Sequence, residues 1–522
     1  MGGRWIWMRR AAIPALAALV GLGLIPQPGS LAAPAPPRIG GVLKVALASD
    51  ENSLDMQVTT DYENRIALMN VQEPLITLDG GVNLAPALAE SWQVQDARVY
   101  VFHLRRGVRF HTGKEMTADD VIYSLQRYKD KGGRRSDLSG IQTLEAPDPY
   151  TVRVTLRAPD GTFLFSLANP IASVVIMPKG LADQQGGTIT RPVGTGPFQF
   201  VEWAADRYLV MKRFAAYKPW PGKPSGFAGA KVPYADEVRF IPIKDTAVRA
   251  NALATGDVDI ADTLDYPAYS KLKSAPGLHV FEVPSYTITE MRFGHKQSRM
   301  ANLALRQAVA YAINKKVLAD GVTYGLGAPA PSVVLPGSSL WDGITSKDAG
   351  YDPAKARQLI AQSGYKGEVL KINVTPTAPL DEAAAVIVQS QLKAVGINAQ
   401  INSMELAAWT QTWRTGNFDM FINDLTLRPD PIAIYRPLWN STSTPSGYNN
   451  PDWDRLTNAV AATTSRPQRH ALIDQIHELQ VKDLPFMPLF FSTIGQGYRD
   501  SVHGYEVWPA GYVRVWNVWT DK

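Results

Sequence analysis

Two glycine-bearing strings and a few histidines are where this sequence comes nearest to reactive chemistry. Gly107 through Lys114 approaches a phosphate-binding loop, in which four residues between two glycines turn backbone N–H groups toward a phosphate and a following hydroxyl holds magnesium. Here five residues separate Gly107 from Gly113, and Glu115 stands where Ser or Thr is needed. The string reads as a turn. His477-Glu478 opens a zincin-like motif, but Val481 occupies the position of the second imidazole. Gly194-Thr195-Gly196 lacks the third glycine of a dinucleotide-binding turn, so it reads as a tight turn where backbones approach closely. No G-x-S-x-G elbow occurs. Of the histidines (His103, His111, His279, His295, His470, His477, His503), only His470 and His477 can share a helix face, and both read as solvated or capping residues. The chain has no cysteine, which excludes disulfides, thiolate metal sites, thioether-linked haem, a cysteine nucleophile and a lipidated N-terminal cysteine. Acidic residues abound, but spacing alone brings no two of them together as an acid/base pair. These residues imply no catalytic site, no metal and no cofactor.

The elements that must position any site alternate between strand and helix. Residues 42–49 (VLKVALAS) read as a short buried strand ending at the polar cluster Ser49-Asp50-Glu51-Asn52, a place where strand ends present groups to ligands. Tyr100, Phe102 and Leu104 alternate with polar residues as a half-buried strand. Thr117 and Asp120 are spaced to cap a helix running to about Tyr128, with Val121, Leu125 and Tyr128 on one face. Residues 150–157 (YTVRVTLR) alternate as a strand, FQFVEW follows the Gly194 turn, and VRFIPI leads to a helix over 245–253. The pattern restarts after Pro284 with ITEMRFG, one long helix in LRQAVAYAINKKVLADGV, the strand KINVTP, the helix DEAAAVIVQSQLKAVG and the strands NAQINS and FDMFIND. Such interleaving argues for two α/β lobes with parallel or mixed sheets.

At 522 residues and 45% apolar composition the chain is long enough for more than one core. Its formal charge of +5 is partly an N-terminal matter. Residues 1–32 hold Arg4, Arg9 and Arg10 and no acid, and without these three arginines 50 basic residues face 48 acidic ones. A nucleic-acid partner therefore has little electrostatic support. The same residues predict a cleaved export signal: a positive start, an apolar stretch over 11–25, and Ser30-Leu31-Ala32 before the cut. A membrane span needs about 20 apolar residues and this stretch is shorter. Residues 33–40 then read as a Pro-rich tether.

Several strings, taken together and in order, resemble the bacterial extracellular solute-binding proteins of family 5, the peptide- and nickel-type receptors of ABC importers. They are LAPALAESWQV (84–94), FHLRRGVRFHTGKEMTADDVIYSLQR (102–127), RPVGTGPFQFVEW (191–203), VPYADEVRFIPIKDTAVRANALATGDVDI (232–260), LRQAVAYAINK (305–315), YDPAKARQLI (351–360), IVQSQLKAVGI (387–397) and FDMFINDLTLRPDP (418–431).

The resemblance implies an α/β, two-lobed periplasmic-binding-protein fold with a hinge and an extra subdomain in lobe I. Lobe I would span 41–282 with the subdomain at about 79–189, lobe II 283–488, and 489–522 would return to lobe I. The hinge crossings would fall near 281–286 and 485–491. It also implies a monomeric periplasmic receptor, not an enzyme, that closes on a peptide or peptide-like solute. The solute would then pass to an inner-membrane permease driven by a separate ATPase. Peptide-binding members hold the solute's amino group with an Asp four residues before a proline, a position that counts back from Pro431 to Leu427 here. That departure leaves Asp424 or Asp430 as substitutes, and it keeps other solutes (an oligosaccharide, opine or metal chelate) and a secreted hydrolase as alternatives. On segments resembling cleft-lining ones lie Tyr62, Tyr286, Trp409, Trp413 and Tyr435, with Asn423 and Arg428 beside the same strand end. Arg428 would suit a carboxylate through its planar fork.

Overall fold

Val42–Leu47 is short and mostly aliphatic, and its consecutive residues Val45, Ala46 and Leu47 are all buried, as in a strand covered on both faces. Glu237–Pro242 and Ile260–Leu264 flank it in parallel. The computed structural model describes residues 36–521 apart from 173, 297, 298, 509 and 510. The export signal read in residues 1–32 lies outside the described residues. No helix among the described residues is long and apolar enough to cross a membrane.

Eleven strands among the described residues form one mixed sheet. Its main path runs Ala399–Ser403, Leu370–Val374, Met420–Thr426, Leu278–Phe293, Phe486–Arg499, Ile260–Leu264, Val42–Leu47, Glu237–Pro242, Tyr208–Arg213, Phe198–Ala204. Two long antiparallel strands hold its ends together. Leu278 to Pro284 pair with Arg499 to Thr493, on the side where Phe486–Arg499 also meets Ile260–Leu264. Ile288 to Arg292 pair with Phe491 to Phe486, on the side where Leu278–Phe293 also meets Met420–Thr426. Between these ladders the register shifts, so residues 285–287 of one strand face the single residue Ser492 of the other. Pro284 sits at this irregularity, where a residue that cannot donate to a ladder is tolerated.

A separate four-stranded antiparallel sheet, in the order Ala89–Gln95, Val99–Leu104, Thr151–Leu156, Ile141–Asp148, lies within the span expected for the subdomain. Tyr100, Phe102, Leu104, Val152, Val154 and Leu156 face inward against Val121, Leu125 and Tyr128 of the helix Ala118–Lys131. That helix begins as its sequence suggests: Asp120 accepts the Thr117 N–H at 3.0 Å, completing a capping box. The same carboxylate takes the Lys114 ammonium at 2.6 Å and the Lys179 N–H at 2.8 Å. Gly107 and Gly113 adopt left-handed turn conformations. Glu115 closes the intervening loop on the Gly107 N–H at 2.8 Å, so the string is a turn.

At Gly194 and Gly196 an added Cβ would collide with the carbonyls of Val71 and Asn70, so glycine is required for this crossing. His111 bridges the two, accepting from the Gly194 N–H at 3.3 Å and facing the Gly196 carbonyl at 3.0 Å. Burial holds its imidazole down to about 4 and therefore neutral. The single helix expected over LRQAVAYAINKKVLADGV is two, Leu303–Ala312 and Lys315–Thr323. Asn314 breaks it, because its side chain accepts the Val317 N–H and restarts the helix as an N-cap. The chain end runs back to the first half: Asn517 donates to Ala230 O at 2.9 Å and accepts from Val232 N at 2.7 Å.

Candidate functional site

Leu370–Val374 and Met420–Thr426 run parallel, with Ile372 beside Met420 and Asn373 beside Phe421, and the second strand continues past the end of the first to Asp424, where it meets Asp381 near the start of the helix Pro379–Ala394. Strand alternation puts neighbouring residues on opposite faces. Asn423 pairs in register with Glu290, and Asp424 with Thr289.

On the Asp424 face two carboxyls meet. Asp424 Oδ1 accepts from the Thr289 hydroxyl at 3.0 Å, and its backbone N–H donates to Asp381 Oδ2 at 3.1 Å. Asp381 is only 2% exposed, and its Oδ1 finds no donor among the described residues, as expected of a carboxyl turned toward another. Two such groups cannot both ionise. Burial, and then the Asp424 charge, push Asp381 up to about 9. Enclosure by protein raises Asp424 less, although the residue keeps solvent-exposed surface, because hydrogen bonds from Asp381 and Thr289 favour its anion. The pair therefore shares one proton, which the buried Asp381 favours, leaving the negative charge toward the solvent-exposed Asp424. The helix start beside Asp381 opposes this but is weaker than carboxylate repulsion at contact. Tyr266 opens the helix Tyr266–Leu272, and its phenol is raised by burial and, to a lesser degree, by the Asp424 charge.

This pair has a pH signature. A carboxyl whose native pKa is raised above its unfolded value stabilises the protein most below the unfolded value, and that contribution is lost as pH rises toward the native one. For Asp381 the window runs from 3.8 to about 9, with a slope of up to about 1.4 kcal/mol per pH unit. Glu51, which burial and Asp50 push to about 8, adds a slope of the same sign, so the test is a difference. Melting curves from pH 5 to 8 should fall more steeply for the natural chain than for Asp381→Asn; parallel curves would contradict the shared proton.

The Asn423 face is built differently. Glu290 and Arg292 form a buried ion pair at 2.6 Å, and the Arg292 guanidinium lies 4.4 Å from the Trp413 ring centre and 5.9 Å from that of Trp439. Trp413 thus supports the strand from below. Trp409 packs edge-on against Phe421 at 5.0 Å. Its indole N–H and Asn423 Oδ1 find no hydrogen-bond partner among the described residues, and Trp409 is half-exposed.

The remaining expected residues divide. Tyr62 is half-buried, stacks on Tyr512 at 5.0 Å and donates to Gly511 O at 2.6 Å. Tyr286 lies 6.1 Å from Trp508 with its hydroxyl unpartnered among the described residues. Leu427 and Tyr435 have no exposed surface. Leu427 belongs to the apolar core, and Tyr435 packs against Trp453 and Phe486, so both stand behind the site in this state. Asp430 is buried in an ion pair with Arg469 and caps Ile432 N at 3.1 Å, which makes it a structural group here. Arg428 is half-buried, donates to Thr426 O at 2.9 Å and faces the subdomain.

Asp381, Thr289 and Tyr266 were not legible as site residues. Asp381 reads as one more acid at a helix start, and nothing in its spacing announces Asp424. For a metal, one cluster occurs among the described residues: Asp342, His470 and Asp474, with donors within 4.8 Å of one another. His470 Nδ1 already faces Asp474 at 3.2 Å and Nε2 faces Asp342 at 3.6 Å, an arrangement that ion pairing explains. His477 stands apart, buried against the Lys347 carbonyl at 2.9 Å.

Comparison with known proteins gives this geometry its context. Residues 83–446 match the family profile described as Bacterial extracellular solute-binding proteins, family 5 Middle. The chain is similar to the glutathione-binding protein GsiB of Shigella flexneri, with 30% identity over 493 residues covering 89% of this chain and 92% of that one. It is similar to di/tripeptide-binding protein 1 of Pseudomonas aeruginosa (29% over 482 residues, 85% and 87%) and to heme-binding protein A of Haemophilus influenzae (27% over 478 residues, 85% of each). Among solved structures, the periplasmic binding protein DppA of Helicobacter pylori in complex with peptide STSA superposes with a TM-score of 0.73 at 27% identity, covering 93% of this chain and 99% of that one. HbpA2 of Haemophilus parasuis reaches a TM-score of 0.80 at 24% identity, covering 92% and 100%, a likeness of fold.

Proposed function

The chain belongs to the bacterial extracellular solute-binding proteins of family 5, receptors of ABC importers, and from that premise we propose that it captures a peptide or peptide-like solute in the periplasm. Its fold is the two-lobed periplasmic-binding-protein fold, and its relatives bind substrates rather than transform them. We take lobe I as 41–282 with 489–522, and lobe II as 283–488, the solute lying between them. A monomer with solute enclosed would present its closed surface to an inner-membrane permease driven by a separate ATPase.

One observation carries the choice of solute. Asp424 has no lysine or arginine within ion-pair distance among the described residues, and neither has Arg428 a carboxylate, although the two stand four residues apart at one strand end. Two unneutralised charges of opposite sign suit a zwitterion. Asp424 would take the amino group, and Trp409, Asn423, Tyr62 and Tyr286 would supply stacking faces and hydrogen bonds. A solute touching both lobes favours the closed state, and moving that equilibrium from 1:99 to 99:1 takes about 5.5 kcal/mol of differential binding.

The test is a thermal-shift panel of di- and tripeptides, N-acetylated peptides, oligosaccharides, opines and metal chelates. Free-amine peptides near 100 times their Kd should raise the melting temperature by about 3 °C, corresponding to about 2.7 kcal/mol of linkage. N-acetylation should remove the shift. A shift from another solute class with none from any peptide would refute the reading.

A further inference from the structure

Between the four-stranded subdomain and residues 428–437 lies a cavity of about 340 Å³. The two sides touch at its rim, where Gly161 N donates to Ala461 O at 2.6 Å. Three arginines line it: Arg134 from the subdomain, and Arg428 and Arg436 from the opposite side. Three acids line it too, and each is already engaged. Asp137 pairs with Arg134 at 2.9 Å, Asp160 caps Thr162 through its N–H at 2.9 Å and its hydroxyl at 2.6 Å, and Asp430 is the buried partner of Arg469.

With Asp137 and Asp430 paired to arginines and Asp160 held only by neutral donors, two unpaired guanidinium groups outweigh one carboxylate and the remaining charge is positive. Arg428 and Arg436 make no ion pair among the described residues. Burial, and then the like charge of Arg134 across the cavity, lower Arg428 to about 10. A desolvated guanidinium facing another of its kind is costly unless an anion joins them. Guanidinium is also the group best shaped to grip a planar or tetrahedral oxyanion by two parallel N–H bonds.

We propose that this cavity is an oxyanion subsite, in which Arg428 and Arg436, with Arg134 opposite, hold a carboxylate or phosphate group of the captured solute. The proposal rests on the preceding reading of the cleft and narrows it: the preferred solute carries a second acidic group, beyond the carboxylate common to all free peptides, remote from its amino group. Because the arginines come from both sides, the anion replaces a repulsion across the cleft with an attraction. It thereby favours the closed state as well as binding.

The experiment is calorimetric titration of the full chain at about 0.15 M salt, where the Debye length of about 8 Å screens exposed charges. The probes are inorganic phosphate, Ala-Glu and Ala-Gln, applied to the natural chain and to Arg428→Gln and Arg436→Gln. Ala-Glu should bind about tenfold more tightly than Ala-Gln, or phosphate should bind measurably, and either effect should weaken at least about tenfold in Arg428→Gln, which is roughly 1.4 kcal/mol. Arg436→Gln removes an exposed side chain and should lose the same preference with an unchanged melting temperature, which covers the case in which Arg428→Gln fails to fold. A phosphate effect alone identifies a phosphate-type group, and an Ala-Glu preference alone a carboxylate. Phosphate binding indifferent to both variants overturns the subsite, as does equal binding of both dipeptides with no response to phosphate; in the latter case the peptide reading still stands. Arginine-dependent phosphate binding with no dipeptide binding keeps the subsite and removes the peptide.

Discussion

Asparagine at position 424 is expected to weaken binding of an amine-bearing solute about 100-fold, close to 2.7 kcal/mol, while leaving the fold intact. The side chain stays nearly isosteric and still accepts from the Thr289 hydroxyl, so the local structure has no reason to change. What disappears is a solvent-facing negative charge that no lysine or arginine neutralises among the described residues. Asp381 does not replace it, because its carboxyl is buried and a solute ammonium would have to shed its water to reach it. Asp381→Asn should accordingly keep affinity within a few-fold. Titration of both variants with the peptide that gives the largest thermal shift is the check. Full affinity in Asp424→Asn would show that the amino group is held elsewhere.

Alanine at position 292 is expected to lower the stability of the whole protein by about 3–5 kcal/mol. Arg292 balances Glu290, which is completely buried, and it also lies over Trp413 and Trp439. Truncation leaves an unpaired buried carboxylate and opens a void between two indoles at once. The double substitution Glu290→Gln with Arg292→Met, which removes both charges and keeps volume, should recover most of the loss. Denaturant unfolding separates these outcomes. A loss below about 1 kcal/mol for Arg292→Ala would show that water reaches the pair.

Much of the scaffold was readable from local rules. Capping by Thr117 and Asp120, the inward alternation of Tyr100, Phe102 and Leu104, and the close crossing at Gly194 each follow from two or three neighbouring residues, and each is present. The helix break at Asn314 escaped because Asn inside an apolar repeat competes only weakly against helix until its cap bond is seen. The site was legible only in part. Asp424, Arg428 and Trp409 could be named from where their segments fall. Their partners could not, since Asp381 is 43 residues from Asp424 in sequence and Arg134 almost 300 from Arg428. Leu427 and Tyr435 were drawn into the candidate set by neighbourhood, yet apolar packing turns both inward.

The two long strands at the centre of the main sheet also limit how the molecule can move. Bonded ladders on either side of residues 285–287 hold Leu278–Phe293 and Phe486–Arg499 against lengthwise slip, because a shift of one residue would turn every inward side chain outward. The pairing of the two strands breaks step at two places, across residues 285–287 and again between Thr289 and Glu290, while Thr287 stays in register with Thr426 of the neighbouring strand. A bend at either bulge would carry both strands with it, since each is bonded to the other on both sides of the break, much as the leaves of a clasp share one pin.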